Sequence, residues 1–337
     1  MRLRTRTQAL ALRETFRIAR RTANEETVVV VALEHDGVRA LGEGAPVDYW
    51  HESPRAMCQA IEADGGALLG RDLFALEAIR ARLAAWDGPQ GAKMALDGVA
   101  HDWVGKRVGQ PVHRLLGTGR RTPPTSYTIG IDTVEGTADR ARRARGFEVL
   151  KVKVGGPDDI ARLEAARRAS GARLRVDGNE CWTLETLREL MPALIELGVE
   201  YVEQPFPADD VESFRALREL TARLPVIVDE GCRDLASVAP IASYADGINI
   251  KLAKAGGPRE AVRMIHAARA LGLHVMLGCM VESALGIAPA AHIASLVDYA
   301  DLDGHLLLAD GPFVGLELRD GRVTPSARPG LGVRPGP

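Results

Sequence analysis

The chain reads as an α/β protein in which eight parallel strands alternate with helices and close into a barrel, with a smaller α+β module ahead of it. Its 337 residues are enough for a barrel of roughly 250 residues and a second, smaller domain. Apolar strand-like runs begin near Ser126, Phe147, Arg173, Val199, Pro225, Gly247, His274 and His305, with amphipathic helical stretches between them. That alternation implies a parallel sheet, and eight strands favour closure over an open doubly wound sheet.

Charge and cysteines narrow the class. Forty-three Lys and Arg against 45 Asp and Glu leave a net charge of -2, which gives no electrostatic footprint for nucleic acid or an anionic membrane. The arginines of Met1-Arg-Leu-Arg-Thr-Arg6 alternate like a half-exposed strand. No apolar run reaches the ~18 residues of a membrane span, and the charged start leads into no signal-peptide hydrophobic region. Cys58, Cys181, Cys232 and Cys279 lie far apart without CxxC spacing, against a disulfide framework and against a thiolate zinc site. A reduced, cytoplasmic enzyme is the expectation.

In chain order, Thr27-Val-Val-Val-Val-Ala-Leu-Glu34 predicts a strand, His35-Asp-Gly37 a turn, and Val38 to Gly42 the returning strand of a hairpin. Helical patterns run from Ser53 to Leu69, Asp72 to Trp86 and Gly91 to about Val108, and Gln110-Pro111 opens a short helix before Gly117. Residues 1–117 thus form the α+β domain, and Thr118 to Pro124, rich in Gly, Arg and Pro, links it to the barrel of residues 118–311. Within 312–337, Phe313 to Val323 reads as a hairpin outside the repeat that returns to the first module.

The second barrel strand carries the first chemistry. In Phe147-Glu-Val-Leu-Lys-Val-Lys-Val-Gly155, Lys151 and Lys153 share one face by alternation while Val152 and Val154 take the other. In so apolar a strand, desolvation and the neighbouring like charge should lower a lysine's pKa and prepare a general base. An isolated pair of this kind is also what an edge strand carries against aggregation, so the neighbours decide.

Acids follow at the ends of the next three strands, in Arg175-Val-Asp177, Tyr201-Val-Glu203 and Val226-Ile-Val-Asp229. They are spaced evenly, 26 residues from 177 to 203 and 26 from 203 to 229. Strand ends one repeat apart meet on the same rim of a parallel barrel, so three carboxylates should converge, and an all-oxygen set suits Mg²⁺. Any one of them alone would pass as a helix N-cap; three in register would not. The sixth strand, Gly247-Ile-Asn249-Ile-Lys251, sets Lys251 across the barrel from Lys153. Two opposed bases flanking one carbon allow a proton to leave one face and return to the other, the geometry of racemisation. For Lys251 alone, a salt bridge to Asp229 or Glu230 is the plain alternative, and it excludes nothing.

These residues resemble the enolase superfamily, specifically its muconate-lactonizing-enzyme subgroup. The resemblance covers essentially the whole chain and implies a (β/α)7β TIM-like barrel under an α+β capping domain built from both chain ends. It implies Lys153 as base tuned by Lys151, Lys251 as the second base, and Asp177, Glu203 and Asp229 as ligands of one Mg²⁺ that stabilises an enolate.

Ala300-Asp301-Leu-Asp303-Gly304 resembles the Asp-x-Asp of dipeptide epimerases, which holds the substrate's α-ammonium. Paired carboxylates suit a cationic amine, although acids in a solvated loop would look the same. Val176 to Trp182, Leu277-Gly-Cys-Met280 and the strand of Thr128 also resemble that group, and imply Thr128 and Met280 at the substrate. Glu282 departs from some members and has no assigned role. Covering loops are expected at Arg17-Ile-Ala-Arg20-Arg21 and Tyr49-Trp50, after Gly42-Glu-Gly-Ala-Pro46, where Arg20 or Arg21 would pair with a glutamate side chain. The expected reaction is therefore epimerisation at the C-terminal residue of a dipeptide, such as L-Ala-L-Glu to L-Ala-D-Glu. The alternatives are an o-succinylbenzoate synthase, an N-acylamino-acid racemase, or a noncatalytic barrel that binds a carboxylate. A small-molecule dipeptide is the expected partner; nucleic acid and membrane are not, and a homo-oligomer is allowed.

Overall fold

The structure, a computed structural model, describes residues 1–336. Its first sheet is antiparallel, with β1 (Arg2–Arg17) against β2 (Thr22–His35) and β2 against β3 (Val38–Gly44). The arginine-rich start thus belongs to a 16-residue strand, longer than the alternation at residues 1–6 indicated. Helices α1 (Pro54–Leu69) and α3 (Gln90–Arg107) pack on this sheet, and α2 (Leu76–Ala85) packs on those two helices. Ser53 starts α1 by accepting the Ala56 N–H at 3.3 Å, with Pro54 fixing the first helical φ.

Helix α3 is buried on nearly every side, and β3 permits it. A side chain at Gly44 would overlap the carbonyl oxygen of Gly91, and one at Gly42 that of Ala95, so only glycine lets strand and helix backbones touch. Because strand residues alternate, the same arrangement turns Glu43 the other way.

Eight parallel strands follow in sequence order: β4 (Ser126–Ile129), β5 (Val149–Lys153), β6 (Arg173–Asp177), β7 (Val199–Glu203), β8 (Val226–Val228), β9 (Gly247–Lys251), β10 (His274–Gly278) and β11 (Tyr299–Asp301). A helix or helices follow each of the first seven. The seam between β11 and β4 closes through a parallel bridge of Thr125 to Ala300 and a hydrogen bond from Leu302 N–H to Thr125 Oγ1 at 2.8 Å. Arg175 reinforces it from inside the barrel. It donates to Ser126 Oγ at 3.0 Å, pairs with Glu200 at 2.8 Å, and lies between the rings of Tyr201 and Tyr299.

One expectation is corrected and another narrowed. The last barrel strand starts at Tyr299, not His305; His305 lies in a 3₁₀ turn over Gly304–Leu306. The apolar run that misled is used elsewhere: Leu308 bridges Leu12, and Arg13 N–H donates to Leu307 O at 3.0 Å, so it packs on β1. The C-terminal hairpin, Glu317–Arg319 against Arg322–Thr324, lies beneath the barrel, where Thr125 N–H reaches Gly321 O at 2.8 Å. Its flanks, Phe313 and Leu316 on one side and Leu331 and Val333 on the other, join Val30 and Leu41 of the first sheet in one apolar cluster.

Candidate active site

Register sets one half of the site. Lys153 pairs with Asp177 and Asp177 with Glu203 across β5, β6 and β7, so all three stand at one level on the rim. Lys151, one inward position below, reaches Asp177 at 2.9 Å, Glu203 at 2.8 Å and Asp301 at 2.7 Å. Lys153 meets Asp177 at 2.5 Å.

Burial here does not produce the lowered lysine pKa expected from the strand alone. For Lys151 burial lowers it, but Asp177, Asp301 and Glu203 outweigh burial and hold the ammonium well above its usual range. Asp177 answers in kind: burial would raise it, yet Lys151 and Lys153 hold it well below the usual carboxylate range. Burial, and then the charge of Asp177, push Glu203 up to about 8.

Opposite, Lys251 on β9 pairs with Asp229 at 2.7 Å, the salt bridge its position allowed. Asp229 raises Lys251 against the effect of burial. A residue the motif reading passed over completes this side. Lys254, fully buried, places its ammonium 2.5 Å from Asp229 Oδ1, against the Asp229 carbonyl, and 3.3 Å from the Asn249 carbonyl. Its signal was present in Lys251-Leu-Ala-Lys254, one helical turn past the strand. Asn249 donates to Glu203 Oε1 at 2.8 Å and so ties the two halves together.

Asp301 of the eighth strand and Asp303 just after it stand together beside Thr128. Asp303 accepts the Thr128 N–H at 2.6 Å, Thr128 Oγ1 stands 3.5 Å from Asp301, and burial with the charge of Asp301 pushes Asp303 up to about 7. Met280 lines the same pocket beside Gly304. From the first domain, Arg20 reaches in and Arg21 is held back. Arg20 pairs with Glu230 at 2.6 Å and Glu180 at 3.0 Å and lies 5.0 Å over the ring of Tyr49. Arg21 pairs with Glu26 and Asp48 within its own domain and is 42% exposed, although it still borders the pocket.

Asp177, Glu203 and Asp229 reach one rim, but among the described residues no three acid, His or Cys side chains converge on one point at ligating distance. Lysine ammoniums stand among the carboxylates and neutralise them. The donor set nonetheless fits Mg²⁺. It is entirely oxygen, and Glu203 Oε2 and Asp229 Oδ2 are buried with no aligned hydrogen-bond donor. Lys151 and Lys251 stand at ion-pair distance from those oxygens, 2.8 and 2.7 Å, without hydrogen-bond geometry. Deeply buried carboxylates satisfied in charge but not in direction suit a cation of fixed coordination geometry.

Comparison with known proteins supplies the family. Residues 134–337 match the enolase C-terminal domain-like model, and residues 1–117 match the N-terminal domain of mandelate racemase / muconate lactonizing enzyme. The L-Ala-D/L-Glu epimerase of Bacteroides thetaiotaomicron is 34% identical over 328 residues, covering 96% of this chain and 85% of that protein. A substrate-liganded L-Ala-D/L-Glu epimerase from Bacillus subtilis superposes with a TM-score of 0.92 at 31% identity, covering 99% of this chain and 98% of that one. The dipeptide epimerase from Methylococcus capsulatus, complexed with Mg and L-Arg-D-Lys, superposes with a TM-score of 0.92 at 36% identity, covering 98% of each chain. With both domains matched in order around this site, the chain belongs to the enolase superfamily, in its mandelate racemase and muconate-lactonizing-enzyme branch.

Proposed function

We infer that this chain is a Mg²⁺-dependent dipeptide epimerase, an isomerase that inverts the α-carbon of the C-terminal residue by a two-lysine 1,1-proton transfer. One observation carries the reading: Lys153 and Lys251 project into one pocket from β5 and β9, second and sixth of eight strands and therefore opposite each other. Relatives named as dipeptide epimerases, among them one complexed with Mg and a dipeptide, support it.

Asp177, Glu203 and Asp229 would hold the metal, which when bound supplies positive charge beside the substrate's terminal carboxylate. One lysine removes the α-proton and the lysine opposite delivers another to the other face. Both stand against a carboxylate, so the abstracting lysine's pairing with Asp177 or Asp229 has to change when substrate enters. Asp301 and Asp303 receive the substrate's ammonium, with the Thr128 N–H fixing Asp303. Arg20 faces the side chain of the epimerised residue. Glu230 and Glu180 already engage it, so an acidic side chain must compete for its guanidinium, and L-Ala-L-Glu is the first dipeptide to test.

The reading divides the chain into a capping domain at 1–117, a barrel at 118–311 and a returning segment at 312–337, supported by the packing of Phe313 and Leu331 on the first sheet. No helix among the described residues is long and apolar enough to cross a membrane, and the four cysteines are free; a cytoplasmic setting fits both. Incubation with a dipeptide library in deuterated water, with and without EDTA, tests the reaction. The expected result is deuterium at the C-terminal α-carbon only, abolished by chelation, with N-acetylated dipeptides poor. Full exchange in excess EDTA refutes the metal role, and better turnover of acetylated substrates favours an N-acylamino-acid racemase.

A further inference from the structure

Two buried carboxyls near the site have no part in the reaction above. Glu43 on β3 is 1% exposed and Glu282, after β10, is 2% exposed. Among the described residues no Lys, Arg or His stands within ion-pair distance of either. Gly42 and Gly44 are pressed onto α3, which leaves Glu43 pointing at the barrel. There it accepts the Ser283 N–H at 2.8 Å and the Ser283 hydroxyl. Ser283 in turn caps the helix Ala284–Ile293 by accepting the Leu285 N–H at 3.1 Å. Glu282 accepts the Met280 N–H at 3.0 Å.

The two carboxyls converge over Gly286. A β-carbon there would lie 2.6 Å from Glu43 Oε1 and 2.7 Å from Glu282 Oε2, so both oxygens border the space of one methyl group and stand no more than about 5 Å apart. Two buried carboxylates this close cannot both stay ionised without a cation; holding one proton between them removes the repulsion. The surrounding charges do not reverse this. Arg6 from β1 favours ionisation of Glu43 and Lys251 from β9 that of Glu282, while Cys279 sits beside Glu282 as a neutral thiol. Burial dominates for both, pushing Glu43 up to about 7 and, with the charge of Glu43 added, Glu282 up to about 8.

Each carboxyl is attached to a wall of the pocket. Glu43 leads through Ala45 and Pro46 into the Asp48–Trp50 turn, whose Tyr49 lies under Arg20. Glu282 braces the loop of Met280 and Val281. We propose that Glu43 and Glu282 are positioning residues that share one proton, clamping the first domain's covering loop to the β10 loop, so that the pocket loosens when that proton is lost. This rests on the dipeptide-epimerase reading for its kinetic consequence, though not for its structural one.

The kinetic test measures KM and kcat from pH 6.5 to 9.5 for the Mg²⁺-loaded wild type, Glu43→Gln and Glu282→Gln. A carboxamide hydrogen-bonds like the protonated acid and does not ionise. Wild-type KM should climb by up to about tenfold per pH unit on the alkaline side, with kcat changing less, and each variant should flatten that climb. A merely structural role would shift the constants alike at every pH. The same alkaline climb in all three proteins overturns the proposal.

Thermal unfolding from pH 4 to 9 gives an answer that needs no turnover. Both carboxyls are raised on folding from an ordinary value of 4.5, so their favourable contribution is complete below that pH and is lost progressively as pH rises from there to about 7 for Glu43 and about 8 for Glu282. Wild-type Tm should fall across that window and the variants' Tm should fall less; equal falls contradict the shared proton. If wild type epimerises no dipeptide, the function reading fails while the unfolding comparison still decides the pair.

Discussion

At the scale of the residue, the site is a set of ion pairs in which every cation has an assigned acid, and Lys254 shows what such an assignment does. By taking Asp229 Oδ1 and two carbonyls, it leaves Oδ2 to Lys251 at 2.7 Å. Replacing it with methionine removes a positive charge near a cation site, which by itself favours metal. The lost orientation should outweigh that, because Lys251 can then claim the whole carboxylate. We predict a loss of about 10- to 100-fold in Mg²⁺ affinity for Lys254→Met, typical for a residue that orients a ligand. Titration of the apo protein with Mg²⁺ by calorimetry checks it, and an unchanged Kd contradicts it. Lys254 stood in the sequence beside a recognised base, yet its partner lay one repeat away, on a different strand.

At the scale of the element, what could be read from the sequence was whatever repeats. Strand ends at 177, 203 and 229 announce themselves because a βα unit has a fixed length and a strand a period of two. The last strand was misread because it is only three residues long, while the leucines after it answer to β1. The Glu43–Ser283 contact was not legible at all, since it joins positions 240 residues apart through the meeting of two domains. Arg175 is a similar case: a buried arginine in a barrel strand that clamps a seam between two other strands. Arg175→Met should destabilise the fold by about 2–3 kcal/mol, the low side for breaking a buried pair because Glu200 keeps some contact with water. Urea unfolding measures it, and a change below about 0.5 kcal/mol would show that the tyrosines and the Thr125 bridge close the barrel without it.

At the scale of the whole molecule, the barrel supplies a rim on which a single sheet order sets opposite strands face to face, and the first domain covers what the rim presents. The central claim is that Lys153 and Lys251 serve opposite faces of one α-carbon. Its most direct measurement is solvent deuterium exchange by Lys153→Ala and Lys251→Ala with each epimer of a substrate dipeptide, read by mass spectrometry and chiral analysis. Both variants should lose epimerisation, since each turnover needs both lysines. Each should still label one epimer without inverting it, and the two should label opposite epimers. Labelling of both epimers by a single variant would mean that one lysine reaches both faces, and would contradict the two-base account.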